Sequence, residues 1–114
     1  MERFAVLVGA GPGDPELLTG KGERLIGTAR EIIHDALVGP EILALASRRA
    51  RLVSVGKRSG RHSKDQKTID ALIVEAALAG ERVVRLKGGD PSIFGRAAEE
   101  LDACRAAGVP VRVC

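Results

Sequence analysis

Five short apolar runs divide this sequence, and they constrain its fold more than any other feature. The runs lie at residues 4–8, 31–34, 52–55, 82–86 and 110–113. Most are apolar on successive positions and rich in β-branched residues, a pattern typical of strands covered on both faces. The segments between them are long enough for helices, which favours βαβ units. The sequence therefore predicts one α/β domain with an open, mainly parallel five-stranded sheet flanked by helices.

Two of the predicted helices have clear start or stop signals. Ser63-Lys64-Asp65-Gln66 is a capping box, and Gly80 is placed to end the helix that follows it. The apolar residues of this helix fall at helical spacing, at Ile69, Leu72, Ile73 and Ala76. A later helix is predicted over residues 94–107, with Gly108 as its stop.

An earlier helix is predicted from a different signal. Asp14 is expected to be its N-cap and Pro15 its first helical residue, and its apolar residues continue to Ile26. Gly20 and Gly22 fall inside this helix, where each costs about 1 kcal/mol relative to alanine. We therefore expect the helix to depend on packing against the sheet.

Composition excludes several classes of protein. No apolar run approaches the roughly 20 residues of a membrane span, so no membrane segment is expected. The first residues lack the pattern of a signal peptide, which predicts a cytoplasmic protein. The two cysteines, Cys104 and Cys114, fit a reducing compartment, and neither has a cysteine or histidine at metal-ligand spacing. We expect no metal site.

Glycine is enriched, with 14 residues in 114, and much of it follows the predicted strands. Parallel strands end at one edge of a sheet, and ligands of open α/β proteins bind beyond that edge. The segments expected there are Gly9-Ala10-Gly11-Pro12-Gly13-Asp14-Pro15, Asp35, Gly56-Lys57-Arg58 and Lys87-Gly88-Gly89-Asp90-Pro91. The sequence therefore predicts a ligand site at this edge.

The first glycine-rich loop matches a dinucleotide-binding fingerprint only in part. Its third glycine would fall at Asp14, and a carboxylate at a helix N-terminus competes with phosphate for the same amide donors. Neither loop ends in the Gly-Lys-Ser/Thr of a P-loop. Both loops let backbone approach a ligand closely, which favours an uncharged or cationic adenosyl compound over a polyphosphate. For the first loop alone, the alternative is a tight turn followed by a helix cap.

Residues 42–64 contain no carboxylate, which predicts a local positive field. One explanation is a solvated surface, and the other is a binding site for a small polycarboxylate. Nucleic acid is not expected as a partner, since Phe4 and Phe94 are the only Phe, Tyr or Trp residues available for base stacking. The basic side chains of the stretch are Arg48, Arg49, Arg51, Lys57, Arg58, Arg61, His62 and Lys64.

Residues 8–19 resemble the opening motif of the tetrapyrrole methylases, which methylate corrin and siroheme precursors with S-adenosylmethionine. Within that family, residues 55–58, 63–66, 85–91 and 93–96 are similar to the uroporphyrinogen-III C-methyltransferases. The most specific segment is Arg85-Leu86-Lys87-Gly88-Gly89-Asp90-Pro91. The resemblance covers the whole chain in order, and one departure is His34, where the family usually has an aromatic residue.

The resemblance implies a two-domain enzyme longer than this chain, with S-adenosylmethionine held between the domains, and a homodimer. Residues 1–114 would be the N-terminal α/β domain, and the second domain is absent from this chain. Positions that match the family's cofactor contacts are Pro12, Gly88, Gly89, Asp90 and Ile93. The positions that match its proposed proton acceptor and proton donor are Asp35 and Lys57.

The activity implied by the resemblance is C-methylation of uroporphyrinogen III toward precorrin-2, on the way to siroheme and cobalamin. On this basis we expect a methyltransferase whose first domain is inactive when it is alone. Two alternatives stay open. The chain could belong to another precorrin methyltransferase, or it could be a non-catalytic α/β binding or dimerisation module derived from the enzyme.

Overall fold

The computed structural model describes residues 4–11, 16, 18–35, 38–55, 66–79, 82–88 and 97–113. Within these ranges the chain forms five strands and four helices. In chain order they are β1 (Phe4–Gly11), α1 (Gly20–Thr28), β2 (Glu31–His34), α2 (Pro40–Leu43), β3 (Arg51–Ser54), α3 (Gln66–Leu78), β4 (Arg82–Gly88), α4 (Ala97–Ala106) and β5 (Val111–Val113).

The five predicted strands are all present, and every pairing between them is parallel. The predicted fold class is therefore confirmed. Two strands run further than their apolar runs, because β1 continues to Gly11 and β4 to Gly88. The backbone pairing extends there without apolar side chains, with Gly11 opposite Gly88.

The strands are arranged in the order β3-β2-β4-β1-β5. The chain moves from β1 through β2 to β3 toward one edge of the sheet, and then through β4 to β5 toward the other. Right-handed crossovers in opposite directions must pass over opposite faces of a sheet. In agreement with this, α1 and α2 pack on one face, and α3 and α4 pack on the other.

Each face of the sheet has its own apolar core, because successive side chains of a strand point to opposite faces. One core joins the sheet to α1 and α2 through Val6, Val8, Ile26, Ile32, Ile42, Val84 and Leu86. The other joins it to α3 and α4 through Ala5, Ile33, Ile69, Ile73, Ala77, Val83 and Cys104. Burial raises the pKa of the Cys104 thiol above its ordinary value, with smaller contributions from Glu100 and Asp70, so this thiol acts as an apolar packing group.

The start of α1 differs from the sequence prediction. The helix begins at Gly20, and its N-cap is Thr19, whose hydroxyl accepts a hydrogen bond from the Gly22 N–H at 2.9 Å. Asp14 is therefore not the cap of this helix, and Asp14 and Pro15 themselves lie outside the described residues. The Asp-Pro pair was the stronger sequence signal, but the threonine caps the part of the segment that packs on the sheet.

The predicted end of α4 is confirmed. Gly108 has a φ of 75°, in the left-handed region that favours glycine. The Val109 N–H donates to the Cys104 carbonyl at 2.8 Å, and the Gly108 N–H donates to the Arg105 carbonyl at 3.1 Å. These two bonds form a Schellman motif, which satisfies carbonyls that the helix end would otherwise leave without donors.

Of the remaining helices, α3 was predicted from the sequence and α2 was not. The apolar spacing correctly predicted α3, although Ser63 and Gly80, its predicted cap and stop, lie outside the described residues. The short helix α2 was not predicted from the sequence. Its local signal is Gly39 at the N-cap, followed by Pro40 in the first turn, where a missing N–H costs nothing.

In the part of the chain that the structure describes, no helix is both long and apolar enough to cross a membrane. The longest, α3, has 13 residues, against the roughly 20 that a spanning helix requires.

Two glycines of α1 provide a matched test of its packing. A Cβ on Gly22 would lie 3.1 Å from the capping Thr19 hydroxyl and 3.5 Å from Val8, whereas a Cβ on Gly20 would meet nothing within 4 Å. We expect Gly20→Ala to raise the free energy of unfolding by about 0.4–1 kcal/mol, because the unfolded chain loses freedom. Gly22→Ala should be less stable than Gly20→Ala by about 1 kcal/mol, because it disturbs the cap.

Urea denaturation of the two variants and the parent protein measures this difference. An equal gain in both variants would show that the helix does not approach the sheet as closely as the structure indicates.

Candidate functional site

The topology of the sheet itself identifies where a ligand would bind. The chain leaves β1 toward the face covered by α1, and it leaves the neighbouring strand β4 toward the face covered by α4. Because α1 and α4 lie on opposite faces, the carboxyl ends of β1 and β4 mark the place where a crevice is expected. Ligands of open α/β proteins bind in such a crevice. The candidate site is therefore at the carboxyl ends of β1 and β4.

Glycines lie at both sides of this crevice. Gly9 is opposite Lys87 in the pairing of β1 with β4, and Gly11 is opposite Gly88, with an irregularity in the register between Gly9 and Gly11. Glycine has no side chain to cover the backbone, so a flat ligand can approach both strand ends closely. This arrangement fits the adenosyl compound that the sequence favours.

Asp35 brings a carboxylate to the same place from the other side of β4. It directly follows β2, which pairs with β4, and its side chain is half-buried. Both of its carboxylate oxygens accept from the Gly88 N–H, each at an N···O distance of 3.4 Å. The structure thus brings together Asp35 and Gly88, two of the residues that the sequence analysis selected.

The backbone of Asp35 is also held in place. Its carbonyl accepts from the Val38 N–H at 3.4 Å and lies 3.0 Å from His34 Nδ1. A carbonyl can only accept, so His34 contributes a hydrogen bond when its proton is on Nδ1. His34 therefore supports the Asp35 turn at the position where the family usually has an aromatic residue.

Two backbone donors near the crevice already have protein acceptors. The Gly22 N–H at the start of α1 is bonded to Thr19, and the Gly88 N–H at the end of β4 is bonded to Asp35. A carboxylate bound to the Gly88 amide would also repel a phosphate. Among the described residues, the geometry therefore favours an uncharged or cationic ligand.

A buried ionic cluster lies just below the site. Arg85 and Lys87 alternate with the apolar residues of β4, and Glu100 is in the first turn of α4. Their side chains are 4%, 5% and 0% exposed. Arg85 Nε is 3.2 Å from one Glu100 carboxylate oxygen and 3.3 Å from the other, and Lys87 Nζ is 3.4 Å from Glu100 Oε2.

This cluster was not predicted from the sequence. The Arg-Leu-Lys alternation in β4 is also the pattern of a strand with one solvent-exposed face. The signal that could have identified the cluster is the position of β4, because a strand in the middle of a two-faced sheet has no exposed face. Buried cations need a buried anion, and α4 is the helix that follows β4.

The other predicted site residues lie outside the described residues. These are Pro12, Lys57, Gly89, Asp90 and Ile93. Each follows a described strand end, since Pro12 is next to Gly11, Gly89 is next to Gly88, and Lys57 is two residues beyond Val55. Their roles stay predictions.

Three arginines of the basic stretch lie within the described residues. Arg48, Arg49 and Arg51 lie at or before the amino end of β3, at the opposite end from Asp35. Arg51 is exposed and pairs with Glu31 at 3.8 Å. A cleft of about 490 Å³ opens here, lined by charged side chains and by apolar residues of β3 and α3. It is far from the glycines of the crevice, so these three arginines do not contribute to the candidate site.

Within the described ranges, no three His, Cys, Asp or Glu side chains come together in a way that could hold a metal ion. The acidic groups nearest the site are instead engaged with protein partners, as the contacts of Asp35 and Glu100 show.

Comparison with known proteins decides the family. The sequence profile described as Tetrapyrrole (Corrin/Porphyrin) Methylases matches residues 5–114. The chain belongs to the tetrapyrrole methylases. The profile covers every strand and helix of the fold, so the expected family is confirmed.

Individual tetrapyrrole methylases are also similar to this chain. The siroheme synthase of Tolumonas auensis is 56% identical over 108 residues, which are 95% of this chain and 23% of that protein. The structure of the uroporphyrin-III C-methyltransferase from Thermus thermophilus matches with a TM-score of 0.84 at 44% identity, over 99% of this chain and 47% of that protein.

A structure of the Thermus thermophilus enzyme complexed with S-adenosylhomocysteine matches with a TM-score of 0.78 at 46% identity, over 97% of this chain and 43% of that protein. The chain therefore spans less than half the length of the solved methyltransferases and about a quarter of the siroheme synthase.

The contact between Asp35 and Gly88 can be tested directly on the 114-residue chain. We expect Asp35→Ala to accelerate hydrogen exchange at the Gly88 amide, because both oxygens that accept from this amide are removed. NMR-detected exchange measures the effect. Asp102→Ala is the control, since Asp102 is an exposed residue of α4. Unchanged exchange at Gly88 in Asp35→Ala would show that the contact does not form in solution.

Proposed function

We propose that this chain is the N-terminal domain of an S-adenosylmethionine-dependent methyltransferase that C-methylates uroporphyrinogen III toward precorrin-2. The observation that carries the proposal is the Asp35 carboxylate held against the Gly88 amide at the crevice between β1 and β4. The similarity to a siroheme synthase and to a uroporphyrin-III C-methyltransferase supports this choice over another precorrin methyltransferase.

The residues of the crevice fit S-adenosylmethionine. This cofactor supplies a methyl group on a positively charged sulfur and carries no phosphate, which agrees with a site where the Gly22 and Gly88 amides are already bonded to protein oxygens. The strand ends at Gly9–Gly11 and Gly88 would hold one side of it. Beyond the described residues, Pro12, Gly89, Asp90 and Ile93 are the other positions proposed to contact it.

Asp35 is proposed to act as the proton acceptor. When a pyrrole carbon forms its bond to the methyl group, the bond between that methyl and sulfur breaks, and the ring system, which has gained a positive charge, must then lose a proton. Asp35 takes this proton from the edge of the crevice, where its carboxylate is held by Gly88 and its backbone by His34. Lys57, after the end of β3, is proposed as the proton donor.

The charge of the chain supports an acidic substrate. Uroporphyrinogen III carries several carboxylates, which pair well with arginine and lysine. The half of the basic stretch that follows β3 contains Lys57, Arg58, Arg61 and Lys64, and parallel strands place that end of β3 at the same edge as Asp35. We further propose that the complete enzyme is a cytoplasmic homodimer, as the resemblance implies.

A chimera tests the proposed activity. Residues 1–114 replace the matching part of the Thermus thermophilus uroporphyrin-III C-methyltransferase, with which they are 44% identical. We expect the chimera to methylate uroporphyrinogen III. Asp35→Asn should lower its turnover by about 10²-fold, because the variant removes the base and keeps the shape. Its affinity for S-adenosylhomocysteine should stay close to that of the parent chimera.

Asp102→Asn in the same chimera is the control for a surface carboxylate. Turnover that survives Asp35→Asn would contradict the assigned base. A folded chimera that binds S-adenosylhomocysteine but methylates neither uroporphyrinogen III nor other precorrins would favour the alternative of a non-catalytic module.

The 114-residue chain tests the proposed division into domains. A drug-sized ligand normally has most of its surface buried, and this chain is proposed to supply one wall of the pocket. We expect the chain alone to bind S-adenosylhomocysteine at least about 10²-fold more weakly than the chimera, because contacts on the other side are missing. Isothermal titration of both proteins measures the ratio. Equal affinities would show that the pocket is complete within these residues.

A further inference from the structure

Glu100 is a charged residue for which the proposed chemistry has no use, although it is completely buried. It lies in the first turn of α4, where the helix N-terminus favours a negative charge. Within the described residues, two buried cations, Arg85 and Lys87, are paired with this single carboxylate. Taking these charges out of water costs free energy, which their pairing offsets only in part because two cations share one anion.

Arg85 connects three elements of the fold. Its Nε contacts Glu100 of α4, and its Nη1 donates to the Ile33 carbonyl of β2 at 3.2 Å and to the Leu86 carbonyl of β4 at 3.1 Å. Ile33 is two residues before Asp35. The guanidinium therefore connects the strand that ends at Asp35 to the strand that ends at Gly88.

Lys87, the residue directly before Gly88, pairs with the same carboxylate. Its Nζ lies 3.4 Å from Glu100 Oε2, and its backbone is followed directly by the Gly88 N–H that Asp35 accepts. The ionic cluster thus holds β4 on both sides of Leu86. Along β4, the cluster ends one residue before the contact between Gly88 and Asp35.

We propose that Glu100 is a positioning residue, which holds Arg85 and Lys87 so that the end of β4 presents the Gly88 amide to the Asp35 carboxylate. The inference rests on the proposed role of Asp35 as the proton acceptor. In this role Glu100 itself contacts neither S-adenosylmethionine nor the tetrapyrrole. It acts through the two cations and through the strand that carries them.

Stability alone does not require these charges. Replacing a buried ionic cluster by apolar side chains of similar volume is often neutral or stabilising, whereas removing one member leaves an uncompensated charge. The charged groups instead fix the relative position of the strands, because the Arg85 guanidinium donates hydrogen bonds to the Ile33 and Leu86 carbonyls. Variants that remove the charged groups but still fold therefore test the proposal.

The first comparison uses Glu100→Gln and Glu100→Asp in the chimera, with Glu99→Gln as the control on the exposed side of α4. We expect Glu100→Gln to lower kcat by about 10²-fold, because small displacements at a reacting group have effects of this size, while KM for uroporphyrinogen III changes much less. Glu100→Asp keeps the charge and should restore part of kcat. Glu99→Gln should behave as the parent.

The second comparison uses a triple variant, Arg85→Leu with Lys87→Met and Glu100→Leu, because Glu100→Gln can prevent folding. We expect the triple variant to fold, by circular dichroism and cooperative unfolding, and to lose kcat as Glu100→Gln does. A folded triple variant with the kcat of the parent would overturn the proposal, since the cluster would then contribute packing only.

Hydrogen exchange at the Gly88 amide separates this inference from the proposed function. It is measured on the 114-residue chain and needs no methyltransferase activity. Faster exchange in the triple variant and unchanged exchange in Glu99→Gln support positioning even where the chimera is inactive, in which case only the proposed function fails. Unchanged exchange at Gly88 in the folded triple variant overturns the positioning role, whatever the activity of the chimera.

Discussion

The backbone hydrogen bonds between β1 and β4 join the two strands on which both cores of this fold are built. Each strand is covered on both faces, so Val6 and Val84 pack toward α1 and α2 while Ala5 and Val83 pack toward α3 and α4. The helices that follow the two strands lie on opposite faces, which is the arrangement at which a ligand crevice is expected beyond the carboxyl ends. The same pairing that stabilises the domain therefore also creates the candidate site.

A strand buried on both faces places strict demands on its polar residues. Arg85 and Lys87 cannot reach water along β4, and breaking a buried ion pair of this kind typically costs about 3–5 kcal/mol. Glu100 meets this demand from α4, the helix that the topology places over that face of the strand. The position of β4 thus explains why charged residues one layer below the crevice form a fixed cluster instead of a mobile surface patch.

The strands and the edge that carries the site could be predicted because both depend on local patterns. The apolar runs correctly predicted all five strands, and the rule that parallel strands end at one edge correctly brought Asp35 and Gly88 together. The Thr19 cap of α1 could not be derived in this way, since Asp14 followed by Pro15 is the stronger local signal for a helix start. The pairing of Glu100 with β4 depends on strand order, which a single sequence does not specify.

The selection of Thr19 as the cap also changes the reason for expecting no phosphate at this site. From the sequence alone, the reason was that the Asp14 carboxylate would compete with a phosphate for the amide donors at the helix N-terminus. In the structure, the Thr19 hydroxyl accepts from the Gly22 N–H of α1, and the Asp35 carboxylate accepts from the Gly88 N–H of β4. Amide donors near the crevice that could otherwise bind an anion are thus bonded to side chains of the protein, one of which is negatively charged. Strand ends that carry glycines beside a carboxylate are electrostatically suited to a cationic ligand, and the positively charged sulfur of S-adenosylmethionine has this property.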